Sequence, residues 1–168
     1  MTPTALVQPA ARTSSDVAAA SSAFEEWLVG DLTAHNESRV LVVSPFHFDP
    51  RRFAGKPAVT MLCGAERRGA DPGFMAESFE TVYLHRTIDI AAPGRWLDRA
   101  RRLLKPEGRL VAVFDPAEFS FAPLPAGGDA CLLGRILAQA GFSRVEAVYR
   151  TPCLIIASAY RSERDRTL

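Results

Sequence analysis

Near the middle of the chain, two short apolar runs enclose a helical stripe. Val82, Tyr83 and Leu84 form the first run. Arg109 to Phe114 forms the second, bounded by Gly108 and Pro116. Between them Trp96, Leu97, Ala100, Leu103 and Leu104 recur at helical spacing, while Arg95, Asp98, Arg99, Arg101 and Arg102 take the opposite side. Pro93 suits a first helical turn, and Pro106 with Gly108 ends the helix. Strand, crossover helix and strand make a βαβ unit, so the pattern predicts a parallel sheet.

The flanking segments extend this pattern. Ser22-Ala-Phe-Glu25 has the form of a capping box, opening a helix whose apolar face is Phe24, Trp27, Leu28 and Leu32. The alanine-rich stretch permits a start as early as Asp16. Arg39 to Ser44 is a β-branched run of central-strand type, and Ala58 to Cys63 is a second strand. Three prolines between Pro45 and Pro57 leave room for a turn or two of helix, around Arg51 to Ala54. After a proline-rich loop from Asp115, Asp129 is placed to cap a helix carrying Leu132, Leu133, Ile136, Leu137 and Ala140, with Gly141 at its end. Arg144 to Arg150 and Leu154 to Tyr160 are two closing strands suited to an antiparallel hairpin. Residues 1–15 read as a flexible or partner-ordered arm, 16–160 as the folded domain and 161–168 as a polar tail.

Composition narrows the function classes. A formal net charge of +1 across 168 residues supplies no electrostatic reason to expect nucleic acid or an anionic membrane as partner. Cys63, Cys131 and Cys153 are far apart and odd in number, with no metal or redox spacing. They read as small free thiols in apolar surroundings. No signal-like segment or membrane-length apolar run is visible, so a cytoplasmic location is expected.

The stretch from Phe79 to Phe114 resembles the second half of a class I S-adenosylmethionine-dependent methyltransferase. That family has an F-D-x-V strand, a helix ending R-x-L-K-P-G-G and a strand of type R-L-V-V. Here they are Phe79-Glu80-Thr81-Val82, Arg102-Leu103-Leu104-Lys105-Pro106-Glu107-Gly108 and Arg109-Leu110-Val111. The closing segments are similar to the family's last helix end and hairpin. The resemblance spans roughly residues 37 to 160. It implies a Rossmann-like α/β fold, with a mostly parallel sheet, a C-terminal antiparallel hairpin and one βα unit shortened or missing. Between Ser44 and Val82 the chain offers one strand where the family has two.

The family binds its cofactor through a D/E-x-G-x-G-x-G loop after the first strand and an acidic residue after the second. In this chain the first loop reads Ser44-Pro45-Phe46-His47-Phe48-Asp49-Pro50, without a glycine. Prolines lack a donor N–H and the phenylalanines set rings where a ligand needs open backbone. No cofactor, metal or catalytic residue is therefore expected. If S-adenosylmethionine does bind, the resemblance places Ser44, His47, Asp49, Glu66 and His85 at its site, with Glu66 the ribose candidate if residues 58–63 are the second strand. Against that stand plainer readings: His47 as a loop histidine, Asp49 and Glu66 as surface charges, Asp115 as a turn cap, and Trp27 and Trp96 as core. Phe119, Phe121 and Leu124 have no intrinsic packing partner on their proline-rich loop, which makes them interface candidates.

Three functions fit these residues. The first is a non-catalytic methyltransferase-like subunit that binds and stabilises or activates a catalytic methyltransferase acting on a small molecule. The second is an active enzyme with an atypical cofactor loop. The third is a ligand-binding or scaffolding domain.

Overall fold

The computed structural model describes residues 14–35, 38–55, 58–63, 73–88, 93–115, 128–151 and 154–162. In chain order these form α1 (Ser14–His35), β1 (Arg39–Ser44), a short 3-10 turn (Pro50–Phe53), β2 (Ala58–Cys63) and β3 (Phe79–His85). There follow α2 (Gly94–Leu103), β4 (Leu104–Phe114), α3 (Gly128–Gln139), β5 (Phe142–Arg150) and β6 (Ile155–Arg161). The strands make one sheet in the order β2-β1-β3-β4-β6-β5. The β1–β2, β1–β3 and β3–β4 pairs are parallel, and β6 runs antiparallel to both β4 and β5.

The faces follow from the period-2 alternation of the strands. Leu41, Val43, Val82, Leu84, Leu110, Ala112 and Phe114 point to one side, where α2 covers them with Leu97, Ala100 and Leu103 and α3 with Leu133, Ile136 and Leu137. Val40, Val42, Tyr83, Val111 and Val113 point to the other side, where α1 lays down Phe24, Leu28 and Leu32. Each central strand is therefore buried on both faces, which is why β1 reads as an unbroken apolar run.

Several boundaries differ from the sequence reading. α1 begins at Ser14, so the Ser22 box lies inside a helix; alanine has the best helix propensity, and the stretch upstream carries the helix past the cap. β4 begins at Leu104, immediately after α2, rather than at Arg109. Leu104 pairs with Phe79 and Arg109 with Thr81, so Lys105 to Gly108 form a bulge within the strand. Glu107 takes φ +59° there. A Cβ on Gly108 would stand 2.8 Å from the Lys105 carbonyl oxygen and 3.1 Å from that of Glu80, so this close approach requires glycine. Gly141 ends α3 with φ +85°, as expected of a C′ residue. Cys63 is buried as expected, but Cys131 is exposed, because at helical spacing it shares a side of α3 with the exposed Arg135 and Ala138. Trp27 and Trp96 are only partly buried, each packed against the edge of its cluster.

β2 lies directly beside β1 in an unbroken register from Arg39↔Ala58 to Ser44↔Cys63. In doubly wound sheets that place belongs to the second strand. Among the described residues no strand lies outside it. No described helix is long and apolar enough to cross a membrane.

Candidate functional site

Parallel α/β sheets bind ligands beyond the carboxyl ends of their strands, where β1 and β3 end side by side. Ser44 is the last residue of β1 and His85 the last of β3, and both side chains are fully buried. The Ser44 hydroxyl lies 3.0 Å from His85 Nδ1 and accepts the backbone N–H of Phe46 at 3.1 Å. The hydroxyl keeps a second lone pair, so which of the two groups donates is set by the imidazole tautomer. Among the described residues Nε2 has no hydrogen-bond partner.

Rings enclose this histidine. Phe24 of α1 stacks on it with centroids 4.0 Å apart and planes 26° apart. Phe46 stands at 5.6 Å and Phe48 at 6.1 Å. Phe48 also touches Phe24 at 5.7 Å and Phe53 at 6.4 Å, so the loop after β1 is tied into the α1 face. Burial, and then the neighbouring Arg86 charge, push the His85 pKa down to about 3. Near neutral pH the imidazole is therefore uncharged, and the pair is a buried hydrogen bond joining the ends of β1 and β3.

The next residue turns the chain away. Arg86 takes φ +49°, donates its N–H to the Val113 carbonyl at 2.8 Å and pairs with Asp115 at 2.8 Å. Its guanidinium also lies 5.6 Å from the centre of the Phe46 ring. Asp115 is thus a buried ion-pair partner bridging the ends of β3 and β4; the turn that the sequence expects it to cap lies outside the described residues.

Among the described sequence-predicted residues, only Ser44 and His85 meet. His47 is exposed. Asp49 is exposed and accepts the Arg51 N–H at 3.0 Å, capping the 3-10 turn. Glu66, Phe119, Phe121 and Leu124 lie outside the described residues. Among the described residues no group of His, Cys, Asp and Glu could hold a metal ion. Phe24 is the member sequence reasoning missed: its helical spacing marks a buried face, but nothing local ties it to a histidine 61 positions later.

α1 is held over this end of the sheet by polar contacts as well. Glu25 accepts the Asp49 N–H at 3.3 Å and pairs with Arg52 at 3.2 Å. Two turns further on, Asp31 accepts from the Tyr83 hydroxyl at 2.6 Å and from Arg109 Nη2 at 2.7 Å. Beside this contact an open cleft of about 520 Å³ runs between α1 and the β5–β6 turn, past Glu26, Trp27 and Leu154.

No family model matches the chain, and no curated protein matches it. Solved structures do. A candidate O-methyltransferase from Nostoc punctiforme PCC 73102 superposes with a TM-score of 0.60 at 14% identity, over 86% of this chain and 58% of its own. A candidate S-adenosylmethionine-dependent methyltransferase from Listeria monocytogenes gives 0.54 at 12% identity, over 84% of this chain and 100% of its own. A candidate exported protein from Bordetella parapertussis gives 0.53 at 15% identity, over 87% of this chain and 69% of its own. The six-stranded mixed sheet with its helices is a divergent form of the class I methyltransferase-like fold.

Proposed function

We propose that this chain is a non-catalytic methyltransferase-like subunit. It binds a catalytic S-adenosylmethionine-dependent methyltransferase in a cytoplasmic heteromer and stabilises or activates it toward a small-molecule substrate. The observation that carries this reading is the ring cage at the end of β1, where Phe24, Phe46 and Phe48 enclose His85. A nucleotide at this position needs open backbone and free N–H donors. Here the Phe46 N–H is taken by Ser44, Pro45 and Pro50 have none, and the rings fill the approach. These residues do not fit S-adenosylmethionine, and no methyl transfer is routed through them.

A subunit without its own chemistry acts by mass action, binding the folded form of its partner and so raising the partner's stability. The near-neutral charge supports a small-molecule setting over nucleic acid. The test has two arms. Calorimetry of the isolated chain with S-adenosylmethionine and S-adenosylhomocysteine should show no heat, and co-expression with the methyltransferase encoded by the nearest gene should yield a co-purifying complex. Micromolar cofactor binding would favour an active enzyme with an atypical loop. An indifferent monomer would favour a scaffolding domain.

A further inference from the structure

Beside the face that α1 lays on the sheet, a second flank of the helix carries Ala23, Glu26, Trp27, Gly30, Asp31 and Ala34. Their spacing puts them on one side, and together they line the cleft of about 520 Å³ next to the β5–β6 turn. That volume falls within the range of about 300–1,000 Å³ that small-molecule sites occupy. Small residues keep the cleft open: a Cβ built on Gly30 would meet nothing within 4 Å. The Trp27 ring is held in place, stacked on Phe24 at 6.2 Å and set edge-on to Tyr83 at 6.2 Å, yet it stays half-buried. The opposite wall is fixed as well. Thr151 donates its N–H to the Leu154 carbonyl at 2.8 Å, its hydroxyl accepts the Leu154 N–H at 2.9 Å, and Leu154 is buried.

The charge on this lining has one sign. Glu26 and Asp31 both contribute carboxylates, and among the described residues no Lys, Arg or His lines the cleft. Asp31 is already matched, by Arg109 at 2.7 Å, the Tyr83 hydroxyl at 2.6 Å and His35 at 3.3 Å. Glu26 is exposed, and among the described residues it makes no ion pair or hydrogen bond. An unmatched carboxylate next to an indole repels an anion, and a neutral apolar molecule leaves it unmatched. A cation satisfies both groups, because the face of an indole ring also attracts positive charge.

We propose that this cleft is a binding site for a small organic cation, an amine carried on an aromatic or other apolar body. The ammonium group meets Glu26 and the Trp27 ring, and the apolar body lies along Ala23, Gly30 and Ala34 against Leu154. The site belongs to the chain by itself and does not depend on the heteromeric reading.

The test uses the full chain carrying Trp96→Phe, which leaves Trp27 as its one indole. Its fluorescence is followed at neutral pH during titration with phenethylamine and benzylamine, and with phenylacetate as the anion of matching ring and chain. Glu26→Gln and Gly30→Leu are added singly, each with its urea midpoint measured. Leucine is a better helix former than glycine, and the space at Gly30 is open, so the second variant should fold. Saturable quenching by the amines is expected, with phenylacetate at least about tenfold weaker. Glu26→Gln should weaken the amines about threefold to fivefold, the size of a solvent-open ion pair. Gly30→Leu should fill the cleft and weaken them at least about tenfold, at an undiminished midpoint. If Gly30→Leu fails to fold, the Glu26→Gln titration decides. Neither amine saturating, phenylacetate binding as tightly as the amines, or amine affinity unchanged in the folded variants would each overturn the site.

Discussion

His85 carries the residue-scale consequences. A neutral imidazole among three phenyl rings stays uncharged only while the solution does not force a proton on it. Its pKa lies at about 3, against 6.5 for the ordinary group. Between those pH values the unfolded chain binds a proton that the native chain does not. This contribution to stability is complete above pH 6.5 and declines as pH falls toward 3, with a slope approaching ~1.4 kcal/mol per pH unit. Urea titrations at a series of pH values should show that His85→Leu flattens this limb; an unchanged slope would remove His85 as its source. Glu80 acts lower. Lys105 at 2.9 Å, together with Ser38, holds its carboxyl down at about 2 from 4.5, so its contribution is present above pH 4.5 and lost toward pH 2. Glu80→Gln should shrink the loss below pH 4.5 and leave the His85 limb between pH 4.5 and 6.5 intact, and the same titrations separate the two.

At the scale of elements, α1 is the piece whose attachment matters most, since it alone covers one face of the sheet among the described helices. Its two polar contacts are unequal. The Asp31 carboxylate meets an Arg109 side chain only 8% exposed, so Asp31→Ala takes that carboxylate from a buried guanidinium and should cost about 3–5 kcal/mol. The Glu25–Arg52 pair is open to solvent on the arginine side, and Glu25→Gln should cost less than about 1 kcal/mol. Equal losses for the two variants in urea unfolding would show that Asp31 does not anchor the helix. The bulge opening β4 makes a separate prediction. Gly108→Ala drives a Cβ into two backbone carbonyls, and the strain should lower stability by about 1–3 kcal/mol, read from the denaturant midpoint at constant m-value.

For the whole molecule, the two apolar clusters occupy opposite faces of the same strands, so neither survives loss of the sheet between them. Trp27 edges one cluster and Trp96 the other. Variants Trp27→Phe and Trp96→Phe each leave a fluorescent reporter on a single face, and their thermal transitions should coincide. An earlier transition reported by Trp27 would mean that α1 detaches before the sheet melts. The same geometry explains how much of the fold was legible in the sequence. Residues 79 to 114 announced a βαβ unit because two continuous apolar runs flank a stripe of helical period. The Lys105–Gly108 bulge was hidden, because proline and glycine end a helix and open a bulge with the same residues.

The order of residues was enough to establish a mostly parallel α/β sheet with a closing hairpin, and a first loop lacking glycine. Those properties live in local periodicity and in the backbone freedom of single residue types. Contacts between distant segments had to come from folding. Phe24 reaches His85, Asp31 meets Tyr83 and Arg109, Arg86 finds Asp115, and β2 takes the outer place beside β1. Packing of one helix and four strand ends sets these pairs, and no spacing along the chain encodes which rings and charges that packing will bring together.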